Sequence, residues 1–283
     1  MGQKIDTQAI GLDIGLSFVK WLTGAENLHY GLWDGLDVHA GNLRAAQDAY
    51  SDALFKLLPD TPCRILDIGG GAGETARKLL AMGHTVDIVV PSAFLASRCR
   101  ETAAGATVHE MIFEDFRTDD KFDVCLFSES YQYIGLNDGL PKALTLLATG
   151  GQVIISDCFR REEYYANGDS TIVGGGHNIR EFRELIASLP VTVHHETDIT
   201  EATAPSVDIE QGLFNVVGFA GTRVDQALAA GKPKTRWIVQ RLWRNLLSDR
   251  RRDRLNKRLY ETLRNRDVFA QNNIYLMMCV RPQ

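Results

Sequence analysis

The residues with the most chemical content stand in Ile65-Leu66-Asp67-Ile68-Gly69-Gly70-Gly71-Ala72-Gly73-Glu74. Residues 63–68 are largely apolar and β-branched and lie between Pro62 and the glycines, so they read as a buried strand. Residues 75–82 then run helically, with Ala76, Leu79 and Leu80 as the apolar positions. The glycines between them permit positive φ and let a ligand approach where a Cβ would stand. A strand, a glycine turn and a helix N-terminus are the parts of a nucleotide site at the carboxyl edge of a parallel sheet. The spacing Asp67-x-Gly69-x-Gly71-x-Gly73 differs from the dinucleotide fingerprint G-x-G-x-x-G. A glycine-rich turn with no ligand is the plainer alternative. A second candidate is His177, which ends the glycine-rich run 168–177 past a strand end. Its imidazole is a candidate base, the alternative being a polar loop residue. His194 and His195 are neighbours in an expected strand and point to opposite faces, so they form no metal pair, and no metal site is expected.

These residues need a sheet to hold them. Further strands are expected at 85–90, 107–112, 122–127, 152–156, 191–197 and 273–280, and helices at 42–58, 93–104, 140–147 and 179–189. Strand-helix units repeated in this way, then a closing strand, give a doubly wound α/β domain. The domains read as an N-terminal helical lid at 1–60, a core at 61–198, a helical cap or insert at 199–272 and a closing strand at 273–283. The insert is too long for a loop in a compact domain. Short helices are expected at 209–219 and 224–230, then one long or two medium helices across 235–265. Ile238, Leu242 and Leu246 recur at four-residue spacing, as do Leu255, Leu259 and Leu263.

The chain has 283 residues, 45% of them hydrophobic and 24% charged, which suits one large domain or a domain with a subdomain and argues against global disorder. No apolar run approaches the ~18 residues of a membrane span. The first residues lack the apolar core of a signal peptide, and Asp6 stands where myristoylation wants Ser or Thr. Five cysteines without a C-x-x-C pair suit a reduced, cytoplasmic protein. The net charge of −5 hides an asymmetry, because residues 232–266 hold 13 Lys/Arg against 3 Asp/Glu. A basic amphipathic segment bearing Trp237 and Trp243 can lie on an anionic membrane, giving peripheral contact through 235–266. The alternative is a cap that packs its stripe on the core and leaves Arg in water. Nucleic acid is not an expected partner, since no recognised module accompanies the charge. The oligomeric state is not legible.

The glycine motif resembles the first motif of class I S-adenosylmethionine-dependent methyltransferases, commonly D-x-G-x-G-x-G. Other residues extend the resemblance in the right order: Asp115-Phe116, Phe122-Asp123 running to Ser128-Glu129, and Gly150-Gly151. It covers roughly 60–198 and the last strand. It implies a Rossmann-like sheet of seven strands, the last antiparallel, and S-adenosylmethionine as cofactor with S-adenosylhomocysteine as product. Upstream, His29-Tyr30-Gly31-Leu32-Trp33-Asp34-Gly35 resembles the H-Y-G-x-W-D-G lid segment of a branch acting on sterols, tocopherols, fatty acyl chains and polyketides. By match, Tyr30 lies near the methionine end of the cofactor; the alternative is an aromatic turn packed on the core. The resemblance puts Asp67, Gly69, Gly71, Gly73, Val90, Pro91, Asp115, Phe116 and Ser128 at the cofactor, with Asp115 on the adenine amino group. Val90 departs from the pattern, which usually has an acid there for the ribose hydroxyls. Glu129 is implied as an active-site carboxylate, with Tyr131 and Tyr133 as acceptor-binding groups; the alternative for Glu129 is a helix-capping acid. The lid, the missing ribose acid and the basic insert favour a hydrophobic or lipid-like acceptor. An O- or N-methyltransferase for a polar or natural-product metabolite is the first alternative, and a non-catalytic cofactor-binding subunit the second. The motif lacks the Cys of cyclopropane fatty acid synthases, so cyclopropanation is not expected.

Overall fold

The structure, a computed structural model, describes residues 7–162, 175–246, 248–262 and 264–283. Its centre is a seven-stranded sheet of order β3-β2-β1-β4-β5-β7-β6. The strands are β1 (Arg64–Ile68), β2 (Thr85–Val89), β3 (Thr107–His109), β4 (Phe122–Ser128), β5 (Leu147–Arg160), β6 (Val191–Asp198) and β7 (Asn273–Pro282). β1 to β5 pair in parallel, while β7 runs antiparallel between β5 and β6. The doubly wound sheet read from the sequence is therefore present, with its last strand reversed.

Side chains alternate across this sheet and divide the core into two layers. Ile65, Val124, Leu126, Tyr275 and Met277 face one layer, with α2 (Leu43–Phe55), α3 (Glu74–Ala81) and α4 (Ala93–Thr102). Leu66, Ile68, Cys125, Phe127, Leu276 and Met278 face the other, with α5 (Leu136–Leu146) and α6 (Ile179–Ser188). β3 is shorter than expected because Met111 and Ile112, 38% and 46% exposed, have no layer to enter. β5 starts earlier than expected, since Gly150 takes φ +81 and a register shift at Phe122/Val124 lets Leu147 pair with Phe122.

The N-terminal segment opens with α1 (Thr7–Thr23). The insert holds α7 (Thr200–Thr203), α8 (Pro205–Gly231), α9 (Pro233–Leu246), α10 (Asp249–Tyr260) and α11 (Arg266–Asn272). Two short helices were expected where α8 runs unbroken for 27 residues. The helix runs straight through the expected gap at 220–223, and Gly218 is buried within it, where a Cβ would stand 2.3 Å from the Leu259 carbonyl oxygen. The glycine lets the backbones of α8 and α10 approach closely. The longer basic stretch resolves into the two medium helices α9 and α10. Leu263, the side chain of Leu246 and most of the glycine-rich run before His177 lie outside the described residues.

Candidate functional site

A cavity of about 350 Å³ opens at the carboxyl ends of β1, β2 and β4. That is the crevice where the order of connections reverses, β1 pairing with both β2 and β4. The volume suits a small organic ligand.

The glycine turn forms its floor. Gly69, Gly71 and Gly73 all take positive φ, at +77, +55 and +87. A Cβ on Gly69 would meet the Ser130 Cβ at 2.4 Å, and one on Gly73 the Cys99 Cα at 2.9 Å. Gly69 and Gly71 line the cavity, whereas Gly73 sits behind it as the N-cap of α3. Asp67 is 1% exposed, and its Oδ2 has no hydrogen-bond partner. Burial alone pushes its carboxyl up to about 7. A buried orphan acceptor is costly unless something donates to it.

The segment between α1 and α2 closes over this floor with Glu26, Asn27, Leu28 and His29. Glu26 is gripped by Lys20 and by Arg98 of α4, which staples the segment to the core. Asn27 is 2% exposed and neither of its amide atoms has a partner. His29 stacks on Tyr50 at 4.5 Å, and its Nδ1 lies 2.8 Å from the Tyr30 carbonyl oxygen. A carbonyl only accepts, so Nδ1 carries the hydrogen and Nε2 presents a bare lone pair. That Nε2 is also unpartnered. Burial lowers His29 to about 4, so it is neutral at pH 7. Three buried groups with unused polar atoms thus line one cavity. Neither Asn27 nor His29 is among the candidate site residues of the sequence, which single out Tyr30.

Glu129 stands just past β4 with φ +55, the one described non-glycine residue with positive φ. Holding a non-glycine residue there costs about 1–2 kcal/mol. Its Oε1 accepts from the Tyr30 N–H at 2.6 Å and from the Tyr275 hydroxyl at 2.7 Å. The Tyr275 oxygen is 3.0 Å from that of Tyr50, which donates to Ser156 Oγ at 2.7 Å. Both tyrosines are fully buried. Burial pushes the Glu129 carboxyl up to about 8, against the pull of its two donors. A carboxyl poised near neutrality at a cavity wall suits proton transfer. It caps no described helix. Tyr275 comes from the far end of the chain, in an apolar strand that gives no signal of a site.

The remaining predicted residues divide. Val90, Pro91 and Ser128 line the cavity. Asp87, the acid three residues before Val90, is bound by Arg64 at 3.1 Å and by His109 at 3.1 Å and does not line the cavity. Asp115 is exposed and Phe116 is buried against His109; neither lines the cavity, because the tight turn Phe113–Asp115 directs Glu114 there instead. Tyr30 contributes its backbone to Glu129 while its ring packs on Phe269 and Tyr275, outside the cavity lining. Tyr131 is fully buried on the opposite layer, between Phe127, Phe159 and Phe182, and donates to the Leu136 carbonyl. It is a core residue. His177 stands beside it, its Nε2 2.8 Å from the Ile134 carbonyl oxygen, and is likewise absent from the lining. Tyr133, by contrast, lines the cavity at its mouth and is 71% exposed. Among the described residues no cluster of His, Cys, Asp or Glu has a metal-holding arrangement.

The motif segment 29–35 packs between α2 and the insert. Gly31 N–H and the Trp33 indole N–H both donate to Ser206 Oγ, at 3.0 and 2.9 Å. A Cβ on Gly31 would lie 2.5 Å from that of Ala46.

No protein-family model matches the chain. An uncharacterised methyltransferase of Anoxybacillus flavithermus is 24% identical over 155 residues, which are 53% of this chain and 70% of that protein. Among solved structures, the cyclopropane synthase MmaA2 of Mycobacterium tuberculosis has a TM-score of 0.69 at 15% identity, covering 95% of each chain. The geranyl diphosphate C-methyltransferase of Streptomyces coelicolor, solved with S-adenosyl-L-homocysteine, gives 0.65 at 16% identity over the whole of both chains. The [4+2]-cyclase SpnF gives 0.66 at 17% identity, covering 97% of this chain and 94% of that one. The chain has the Rossmann-like methyltransferase fold. That fold also carries a cyclase, so the reaction must be argued from the site.

Proposed function

We propose that the protein is an S-adenosylmethionine-dependent methyltransferase whose acceptor is small and hydrophobic or lipid-like. The observation that carries this reading is the set of unused polar atoms on Asp67, Asn27 and His29 around a glycine turn in which a Cβ on Gly69 or Gly70 would clash. His29 Nε2 can only accept from a ligand, Asp67 Oδ2 accepts when its carboxyl is ionised, and the Asn27 amide can both donate and accept. A zwitterionic amino-acid end, with an ammonium and a carboxylate, supplies the matching groups. S-adenosylmethionine has such an end, so the residues fit it. Val90 places a methyl-bearing wall where an acid would take the ribose hydroxyls, and Ser92 is the next hydroxyl along the chain. Glu114 replaces Asp115 as the carboxylate offered to the adenine amino group.

When bound, the cofactor supplies a methyl made electrophilic by a sulfonium. The protein's part is then to hold an acceptor in line and to exclude water, which is worth up to ~7–11 kcal/mol of the barrier. Glu129 removes a proton from an alcohol or ammonium acceptor, or stabilises positive charge on a carbon acceptor. Tyr275 positions that carboxylate. Leu28, Leu95, Ile112, Phe113, Tyr133 and Ile134 give the cavity an apolar side, and Ile112 and Tyr133 leave apolar surface exposed at its mouth. This supports an apolar acceptor over a polar metabolite. The segment 29–35 acts as the lid of the sterol- and lipid-methylating branch, joined to the insert through Ser206.

The test is transfer of a labelled methyl group from S-adenosylmethionine to panels of hydrophobic and of polar acceptors, with Glu129→Gln alongside. Transfer to the hydrophobic panel, lost in the variant, supports the reading. Transfer confined to polar metabolites overturns the acceptor class. Undiminished turnover in Glu129→Gln, with unchanged cofactor affinity, overturns the role of the carboxylate. Cofactor binding without transfer to any acceptor supports a partner subunit instead.

A further inference from the structure

The insert has two halves of different character. Its inner half is tied down: Glu210 holds Arg258 and Arg264, Asp208 holds Arg266, and Gln211 donates to the Arg258 and Glu261 carbonyls. Phe269 of α11 is fully buried. The outer half, the far end of α8 with α9, carries large apolar side chains in water. Val216 is 66% exposed, Phe219 66%, Val224 60%, Trp237 57%, Ile238 51% and Leu242 55%. Arg236 and Gln240 of α9 turn inward to Asp225 of α8, at 2.9 and 3.2 Å, which leaves Ile238 and Leu242 on the opposite side of α9. A stripe that served only as a cap would face the core, and this one does not. Exposed apolar surface on this scale marks an interaction site.

Charge selects the partner. Residues 212–245 hold six Lys/Arg and a single acid, Asp225, which is already paired with Arg236. Arg241 lies over the Trp237 ring at 5.5 Å, so a cation and an interfacial aromatic share one place. A second copy laid on this surface by a two-fold would set cations against cations. A nucleic acid would meet the charge but leave Ile238, Leu242 and Phe219 in water. A membrane interface offers both an apolar boundary for the side chains and anionic head groups for the arginines. No described helix is long and apolar enough to cross a membrane.

We infer that the outer half of the insert, α9 with the far end of α8, docks the protein on the surface of an anionic lipid bilayer. This stands independently of the methyl-transfer reading, because vesicle binding is measured without cofactor or acceptor. The full chain is floated with vesicles of phosphatidylcholine alone and of phosphatidylcholine with an equal part of phosphatidylglycerol. Partition onto the anionic vesicles only, weakened by added salt, is expected. Each charge at the surface is worth ~5-fold in partition, so Arg241→Glu with Arg244→Glu lowers it at least ~20-fold. Trp237→Ser with Leu242→Ser lowers it too, by removing the apolar insertion. All four positions are exposed, so circular-dichroism melts should match the parent. Absence of binding to anionic vesicles by the parent overturns the inference. So does a concentration-dependent dimer abolished by the apolar pair, which assigns the surface to a second copy, or tight binding of RNA with no vesicle binding.

Discussion

Tyr275→Phe removes one oxygen and leaves the ring in place. In the parent that hydroxyl donates to Glu129 Oε1 at 2.7 Å from a fully buried position. A hydrogen bond to a charged acceptor is worth ~1.5–3 kcal/mol, and one pKa unit corresponds to ~1.36 kcal/mol. The lost donor stabilised the ionised form, so the Glu129 carboxyl, already near 8, moves up by roughly one to two units. At pH 7.5 the ionised fraction then falls by roughly 8- to 75-fold. Carbon-13 NMR titration of protein labelled at the glutamate carboxyls reads this directly, with Glu129→Gln assigning the resonance. A base-dependent methyl transfer should fall in the same proportion at pH 7.5 and recover as the pH is raised. The Tyr30 N–H bond to Glu129 and the Tyr50–Ser156 bond are untouched, so the fold should persist. An unchanged midpoint in Tyr275→Phe would mean that the phenol does not set the carboxylate, and the positioning argument would be refuted.

Four further outcomes follow from the same contacts. Asn27→Leu should weaken S-adenosylhomocysteine at least ~10-fold while sparing methylthioadenosine, which lacks the amino-acid end; equal losses in calorimetry would place Asn27 elsewhere on the ligand. Gly73→Ala forces a Cβ onto φ +87 and into the Cys99 backbone, so urea unfolding should show a loss of ~2–4 kcal/mol. Asp67, Asp157 and Glu129 have folded pKa values raised to about 7, 7 and 8, above those of free carboxyls. Their contribution is therefore fully present below about pH 4 and is lost as the pH rises through 7 to 8, so the ligand-free protein should unfold at lower urea at pH 9 than at pH 5, and Asp67→Asn should flatten the difference. His177→Ala should cost ~1 kcal/mol of stability through the lost bond to the Ile134 carbonyl and leave cofactor affinity intact; a collapse of turnover with no change in stability would restore it as a base.

The parts of the site legible in the sequence are those where backbone geometry limits residue choice. Asp67, Gly69 and Gly71 could be placed because a turn with three positive φ values admits glycine, and spacing records that need. Asp115 and Phe116, which the resemblance puts at the cofactor, lie at a tight turn where neighbours point in unrelated directions: Glu114 lines the cavity, Asp115 is exposed and Phe116 is buried. Tyr131 and Tyr133 share a turn yet go to opposite fates, fully buried and 71% exposed, which the residue type alone does not distinguish. His29 and Asn27 stand out through atoms that lack partners, and an absence of partners is a property of the folded surroundings. Tyr275 reaches Glu129 across 146 residues, through a strand order that inserts β7 beside β5. The length of α8 is not legible in the sequence because Gly218 and Gly221 lie against α10 within a continuous helix rather than breaking it.

The cavity at the ends of β1, β2 and β4 should take S-adenosylmethionine. Calorimetric titration of the purified chain with S-adenosylhomocysteine and, separately, with NAD tests it most directly. One saturable site per chain is expected for S-adenosylhomocysteine, strongly weakened in Asp67→Asn, with no heat from NAD. A silent titration with S-adenosylhomocysteine, or saturable binding of NAD in the same cavity, would contradict it.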